Sequence, residues 1–164
     1  MSKKIINDDV DLSKLYLESL PDFLADVHIS GDFDCSRNNL KSLVGAPESV
    51  DGGFYCQDNN LQTLVGAPTS VGGSFDCGNN NLQSLEGAPK SVSGSFFCYD
   101  NNLQTLEGVP SRIGRSFYCN NNNLQSLEGA PESVGGNFYC RNSHVKFTEE
   151  QVRAVCDVKG RILV

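Results

Sequence analysis

Six cysteines, Cys35, Cys56, Cys77, Cys98, Cys119 and Cys140, stand 21 residues apart without a gap. A period of that length restricts the chain to architectures in which one short unit is stacked on copies of itself. Further columns keep the same step. Two residues before each Cys lies Phe33, Phe54, Phe75, Phe96, Phe117 or Phe138, and three after it Asn38, Asn59, Asn80, Asn101 or Asn122, with Ser143 breaking the series. Five after it come Leu40, Leu61, Leu82, Leu103, Leu124 and Val145; eight after it come Leu43, Leu64, Leu85, Leu106 and Leu127. Pro47, Pro68, Pro89, Pro110 and Pro131 follow, then Val50, Val71, Val92, Ile113 and Val134.

The Phe-x-Cys alternation has period two, which puts Phe and Cys on one side of a short strand and their neighbours on the other. Asn-Asn, Gly-Ala-Pro and Gly-Gly clusters then turn the chain. A unit this short buries its apolar face only against its neighbours, so the spacing predicts a solenoid. The predicted fold is mainly β: one parallel sheet of about eight short strands, an irregular convex side and a C-terminal capping helix.

The string Phe-x-Cys-x-x-Asn-x-Leu-x-x-Leu resembles the leucine-rich repeat signature Leu-x-Leu-x-x-Asn-x-Leu-x-x-Leu, with Phe and Cys in the first two apolar slots. Within that family, repeats with Gly-Ala-Pro and Gly-Gly segments are similar to those of small proteins of tailed bacteriophages and some bacteria. The resemblance implies a leucine-rich-repeat solenoid and a binding habit, and no activity. It points to a phage-encoded protein that inhibits or redirects a bacterial host protein, such as one of antiphage defence.

The whole chain, 1–164, reads as one solenoid domain: a degenerate N-terminal coil over 1–29, six repeats over 30–143, and a cap over 144–164. In the first part, Val10 falls on the Phe column, Leu12 on the Cys column, and Leu17 and Leu20 on the two Leu columns. A short amphipathic helix from Asp11 to Ser19 is the competing reading. In the last part, Thr148 and Gln151 form a capping box and Phe147 and Val152 a hydrophobic staple, predicting a helix that Gly160 follows. Val158, Gly160, Ile162 and Val164 then repeat the frame of a last strand.

Charge narrows the partners. Lys and Arg number 13 against 20 Asp and Glu, a net charge of -7. By segment this is -3 over 1–29, -5 over 30–143 and +1 over 144–164, so no part has the basic footprint that duplex nucleic acid or an anionic membrane requires. The basic start turns acidic at Asp8 before any apolar run, unlike a secretory signal, and a cytoplasmic location is expected.

Chemistry is sparse. The Cys column lacks the close pairs of zinc sites and reads as core, so neither metal nor cofactor is expected. The Asn column reads as inter-coil hydrogen bonding, and Gly-Gly steps without Gly-Lys-Ser/Thr read as turns. His28 and His144 lie far apart and no Ser or Cys has an evident base, which argues against an enzyme. The informative columns flank each Cys and face outward. Tyr55, Asp76, Phe97, Tyr99, Asp100, Tyr118, Asn120, Tyr139 and Arg141 are the candidate partner-binding residues. They describe an aromatic patch with a polar border suited to a protein partner on the concave face. Two alternatives use the same features: a sponge for a nucleotide signal, stacking on the aromatics beside Arg141, and a structural repeat protein that pairs through strand edges as a homodimer, in place of a monomer.

Overall fold

A computed structural model describes residues 4–164, which wind into a parallel β-solenoid of two eight-stranded sheets. The first sheet is built from the Phe column: Val10–Asp11, Phe33–Asp34, Phe54–Tyr55, Phe75–Asp76, Phe96–Phe97, Phe117–Tyr118, Phe138–Tyr139 and Ile162–Leu163. Its register follows the repeat, Phe33 opposite Phe54 and Phe54 opposite Phe75. Phe, Cys and the leading Leu column point inward and are fully excluded from solvent through most of the stack. Successive Phe rings pack with centroids 5.1 to 6.0 Å apart.

The opposite side is more regular than the sequence suggests. Lys4–Ile6, Val27–Ile29, Ser49–Val50, Ser70–Val71, Ser91–Val92, Arg112–Ile113, Ser133–Val134 and Asp157–Val158 form a second parallel ladder. The aliphatic column buries its side chains against the common core. Its backbone then lies flush with that of the neighbouring coil, where Gly72 N donates to Val50 O (3.0 Å) and Ser93 N to Val71 O (3.1 Å).

Between the two sheets the chain turns at fixed places. The residue two after each Cys is left-handed in every repeat: Arg37, Asp58, Asn79, Asp100, Asn121 and Asn142 have φ from 50° to 57°. Asn and Asp tolerate that conformation best among residues with a Cβ. The Asn column then ties coil to coil. Asn80 Oδ1 accepts from Leu61 N at 2.9 Å, while its Nδ2 donates to Cys56 O and Cys77 O at 3.1 and 3.2 Å. Asn59, Asn101 and Asn122 repeat this pattern.

At the N-terminal coil Val10 stands opposite Phe33, and Leu17 N donates to Asn38 Oδ1 at 3.0 Å as an in-register Leu would. The competing helix over 11–19 does not form; Tyr16 is exposed and left-handed, and the one short helical turn in this region is the 3-10 turn Asp22–Leu24. Near the other end, the helix Glu149–Val155 carries both bonds of the Thr148/Gln151 capping box. It stops at Cys156, which is already extended, and Gly160 lies in the turn between the last two strands.

Candidate functional site

Inward Phe and Cys leave the residue between them facing out. In register along the first sheet this gives the row Asp34, Tyr55, Asp76, Phe97, Tyr118 and Tyr139, each half-buried. Strand spacing of about 4.8 Å lies within the centroid separations of offset-stacked rings, and the three consecutive aromatics use it. Phe97 and Tyr118 stack at 4.6 Å and 12°, and Tyr118 and Tyr139 at 4.3 Å and 6°. Tyr99 meets Phe97 edge-on at 6.4 Å and 88°. Its ring covers Gly78, where a Cβ would collide with it.

The structure thus brings Phe97, Tyr99, Tyr118 and Tyr139 together, with Asn120 half-buried beside them and Arg141 exposed at the end of the group. Tyr55 is separated from them by Asp76, and its hydroxyl fills the space over Gly53. Asp100 lies off the row: it is one of the left-handed turn residues, and its carboxylate accepts from Asn121 Nδ2 at 2.8 Å. The buried Oε1 of Gln57 has no hydrogen-bond partner among the described residues.

Burial shapes the titration of this face. It pushes the Asp76 carboxyl up to about 6, against the pull of the Gly78 N–H it accepts and with help from Asp58 and Asp34. Burial and the Asp76 charge raise the Tyr99 phenol to about 12, and burial with the surrounding aspartates raises Tyr55. Tyr118 is raised by burial and by its contact with Tyr139. Because Asp76 titrates higher in the folded chain than its ordinary 3.8, the folded state binds more protons between those values, and stability falls as pH rises from about 4 to about 6. Asp76→Asn keeps an acceptor for Gly78 N and removes the charge. It is expected to stabilise the protein by about 1–2 kcal/mol at about pH 7.5 and not at about pH 4, read by urea denaturation at both.

One further column was missed in the sequence. Immediately before the first residue of the Phe-column strands, the side-chain oxygens of Asp9, Asp32, Ser74, Ser95, Ser116 and Asn137 each accept the backbone N–H of the equivalent residue in the next coil, at 2.6 to 3.1 Å, with Gly53 interrupting the column. The signal was present as Asp32, Ser74, Ser95, Ser116 and Asn137 on one 21-residue register, broken at Gly53. These groups border the aromatic row as fixed, already satisfied polar atoms.

All seven thiols are free. Burial drives the Cys56, Cys77, Cys98 and Cys119 thiols well above their ordinary range. Among the described residues no group of three or more His, Cys, Asp or Glu is arranged to hold a metal ion, and no helix is long and apolar enough to cross a membrane.

No family model matches the chain, and no curated protein matches it.

Proposed function

We propose that the protein is a non-enzymatic binding module that docks a protein partner on the outward face of the Phe-column sheet. The observation that carries this reading is the contiguous group of Phe97, Tyr118 and Tyr139, with Tyr99 against it and Arg141 exposed beside it. Tyr and Arg dominate binding hot spots because they combine apolar area with hydrogen-bonding tips. Rigid rings already ordered by stacking lose little freedom on binding. Asp76 and Arg141 lie on opposite sides of the group and would orient the partner by charge. The repeat's resemblance to short leucine-rich repeats of phage and bacterial proteins adds that the partner is a bacterial host protein and that docking takes place in the cytoplasm.

The nucleotide-sponge reading fits this geometry less well. A base sandwiched between two rings needs them about 7 Å apart, and these rings already touch at 4.3 and 4.6 Å.

The test is affinity capture from a bacterial host with the tagged chain and with Tyr118→Ala/Tyr139→Ala, followed by mass spectrometry of bound protein and released small molecules. A protein partner enriched at least about ten-fold by the intact patch, and lost in a double variant that still shows the parent circular dichroism, is the expected result. Undiminished capture by the double variant removes the patch from the binding surface. A released nucleotide without protein would establish the sponge instead.

A further inference from the structure

The Asn column seals five of the six ladder cysteines, and the sixth differs. At Cys140 the column supplies Ser143, whose hydroxyl donates to Cys140 O at 3.3 Å and lies 3.4 Å from Cys140 Sγ. A Ser is shorter than the Asn it replaces and makes no bridge to the previous coil like the one from Asn122 Nδ2 to Cys98 O. The Leu column also thins: Val145 is 38% exposed where Leu124 is fully buried. A cleft of about 310 Å³ opens there, lined by Cys140, Arg141, Ser143, Lys146 and Phe147 among others. Cys140 is 3% exposed, and Cys35, Cys56, Cys77, Cys98 and Cys119 are 0% exposed.

A second thiol stands beside it. Cys119 lies on the neighbouring strand in register with Cys140, since Phe117 pairs with Phe138 and Tyr118 with Tyr139. In-register parallel neighbours are about 4.8 Å apart, within the Cα separation that a disulfide spans. The Cys119 thiol donates to Tyr139 O at 3.2 Å, on the strand that carries Cys140. The neighbouring Cys119 thiol and the Ser143 hydroxyl hold the Cys140 thiol below its ordinary range against burial, while burial holds Cys119 far above it.

We propose that Cys140 is a site of oxidation by small hydroperoxides and that Cys119 resolves it to a Cys119–Cys140 disulfide. The cleft and the thiol's slight exposure suit a small oxidant better than a bulky disulfide. In the first step the Cys140 thiolate attacks one peroxide oxygen. The S–O bond forms as the O–O bond breaks, the sulfur loses two electrons, and the departing oxygen leaves as water or alcohol after taking a proton. In the second step the Cys119 sulfur attacks the sulfenic sulfur of Cys140; the S–S bond forms, the S–O bond breaks, and the oxygen leaves as water with the Cys119 proton.

The competing thiol is Cys156, also 3% exposed. Burial and the adjacent Asp157 charge push it up to about 11, which leaves little thiolate to react at neutral pH. The experiment treats the folded full chain with hydrogen peroxide near neutral pH, blocks the remaining thiols and maps all seven by peptide mass spectrometry. Cys140 is expected to be modified at least about ten-fold faster than any other thiol, with a Cys119–Cys140 linked peptide as the first product. Cys119→Ser should trap a dimedone-reactive sulfenic acid on Cys140, and Ser143→Asn should slow the reaction by restoring the seal. If Cys156 reacts first, or all ladder thiols react together at the rate of unfolding, the proposal is overturned. The wild-type map decides this even if a variant fails to fold.

Discussion

Asn101→Ala is expected to remove about 2–5 kcal/mol of stability. The side chain joins three buried backbone groups from two coils: its Oδ1 accepts from Leu82 N at 3.0 Å, and its Nδ2 donates to Cys77 O at 3.0 Å and Cys98 O at 3.3 Å. Alanine leaves Leu82 N without a partner, at about 1–3 kcal/mol, and takes one of two donors from each carbonyl, at about 0.5–1.5 kcal/mol apiece, less what relaxation recovers, since Cys77 O keeps Asn80 Nδ2 and Cys98 O keeps Asn122 Nδ2. Asn101→Asp is the informative companion. It preserves shape and the acceptor but brings no N–H to the two carbonyls and buries a charge beside them, so it should be at least as damaging. Ser143→Ala, where the column is already broken, should cost less than about 1 kcal/mol. Urea denaturation followed by circular dichroism checks all three. A loss under about 1 kcal/mol for Asn101→Ala would mean that core packing and the backbone ladders hold the coils without the Asn column.

The other large effect concerns the aromatic column inside the core. Phe96 is fully buried between Phe75 at 5.3 Å and Phe117 at 6.0 Å. Phe96→Ala should cost about 3–5 kcal/mol, because the rings on either side are fixed to their own coils and cannot close over the void. Phe96→Leu fills most of the volume and should cost under about 2 kcal/mol. In a stack where each coil touches only its neighbours, the damage should be local. Hydrogen exchange should speed most for the backbone amides of Phe75, Phe96 and Phe117 and least for those of Val10 and Ile162. Uniform acceleration through all eight strands would show that the solenoid unfolds as one cooperative unit.

The inward half of the structure was legible in the sequence because a buried position tolerates few residue types, so Phe, Cys, Asn and Leu recur in register. The first coil was legible for the same reason, Val10 and Leu17 being held to that register by Phe33 and Asn38. The second sheet was hidden because most of its coils bury a single aliphatic residue there, with no second inward residue to make the alternation that Phe-x-Cys gives the first. Its only trace was the Val50, Val71, Val92, Ile113 and Val134 column. The left-handed turns were visible only as a preference for Asn and Asp two after each Cys, which Arg37 interrupts. That preference explains why Asp100 belongs to the turn and not to the face. For the candidate site, the sequence placed the aromatics in one region and missed their geometry. Whether Phe97, Tyr118 and Tyr139 spread outward or lie ring on ring depends on strand spacing, twist and the room left by Gly78, which no column records.

The row of outward residues is also a ruler. Each strand of the first sheet advances the face by one step of about 4.8 Å, and every coil hands the same set of backbone hydrogen bonds to the next. Duplicating or deleting one 21-residue unit between Asp76 and Arg141 would leave the joints on either side unchanged, yet shift the acidic and basic landmarks by one whole step relative to each other. A chain of this kind can therefore alter the separation of its outward charges in discrete increments, without altering how any single coil folds.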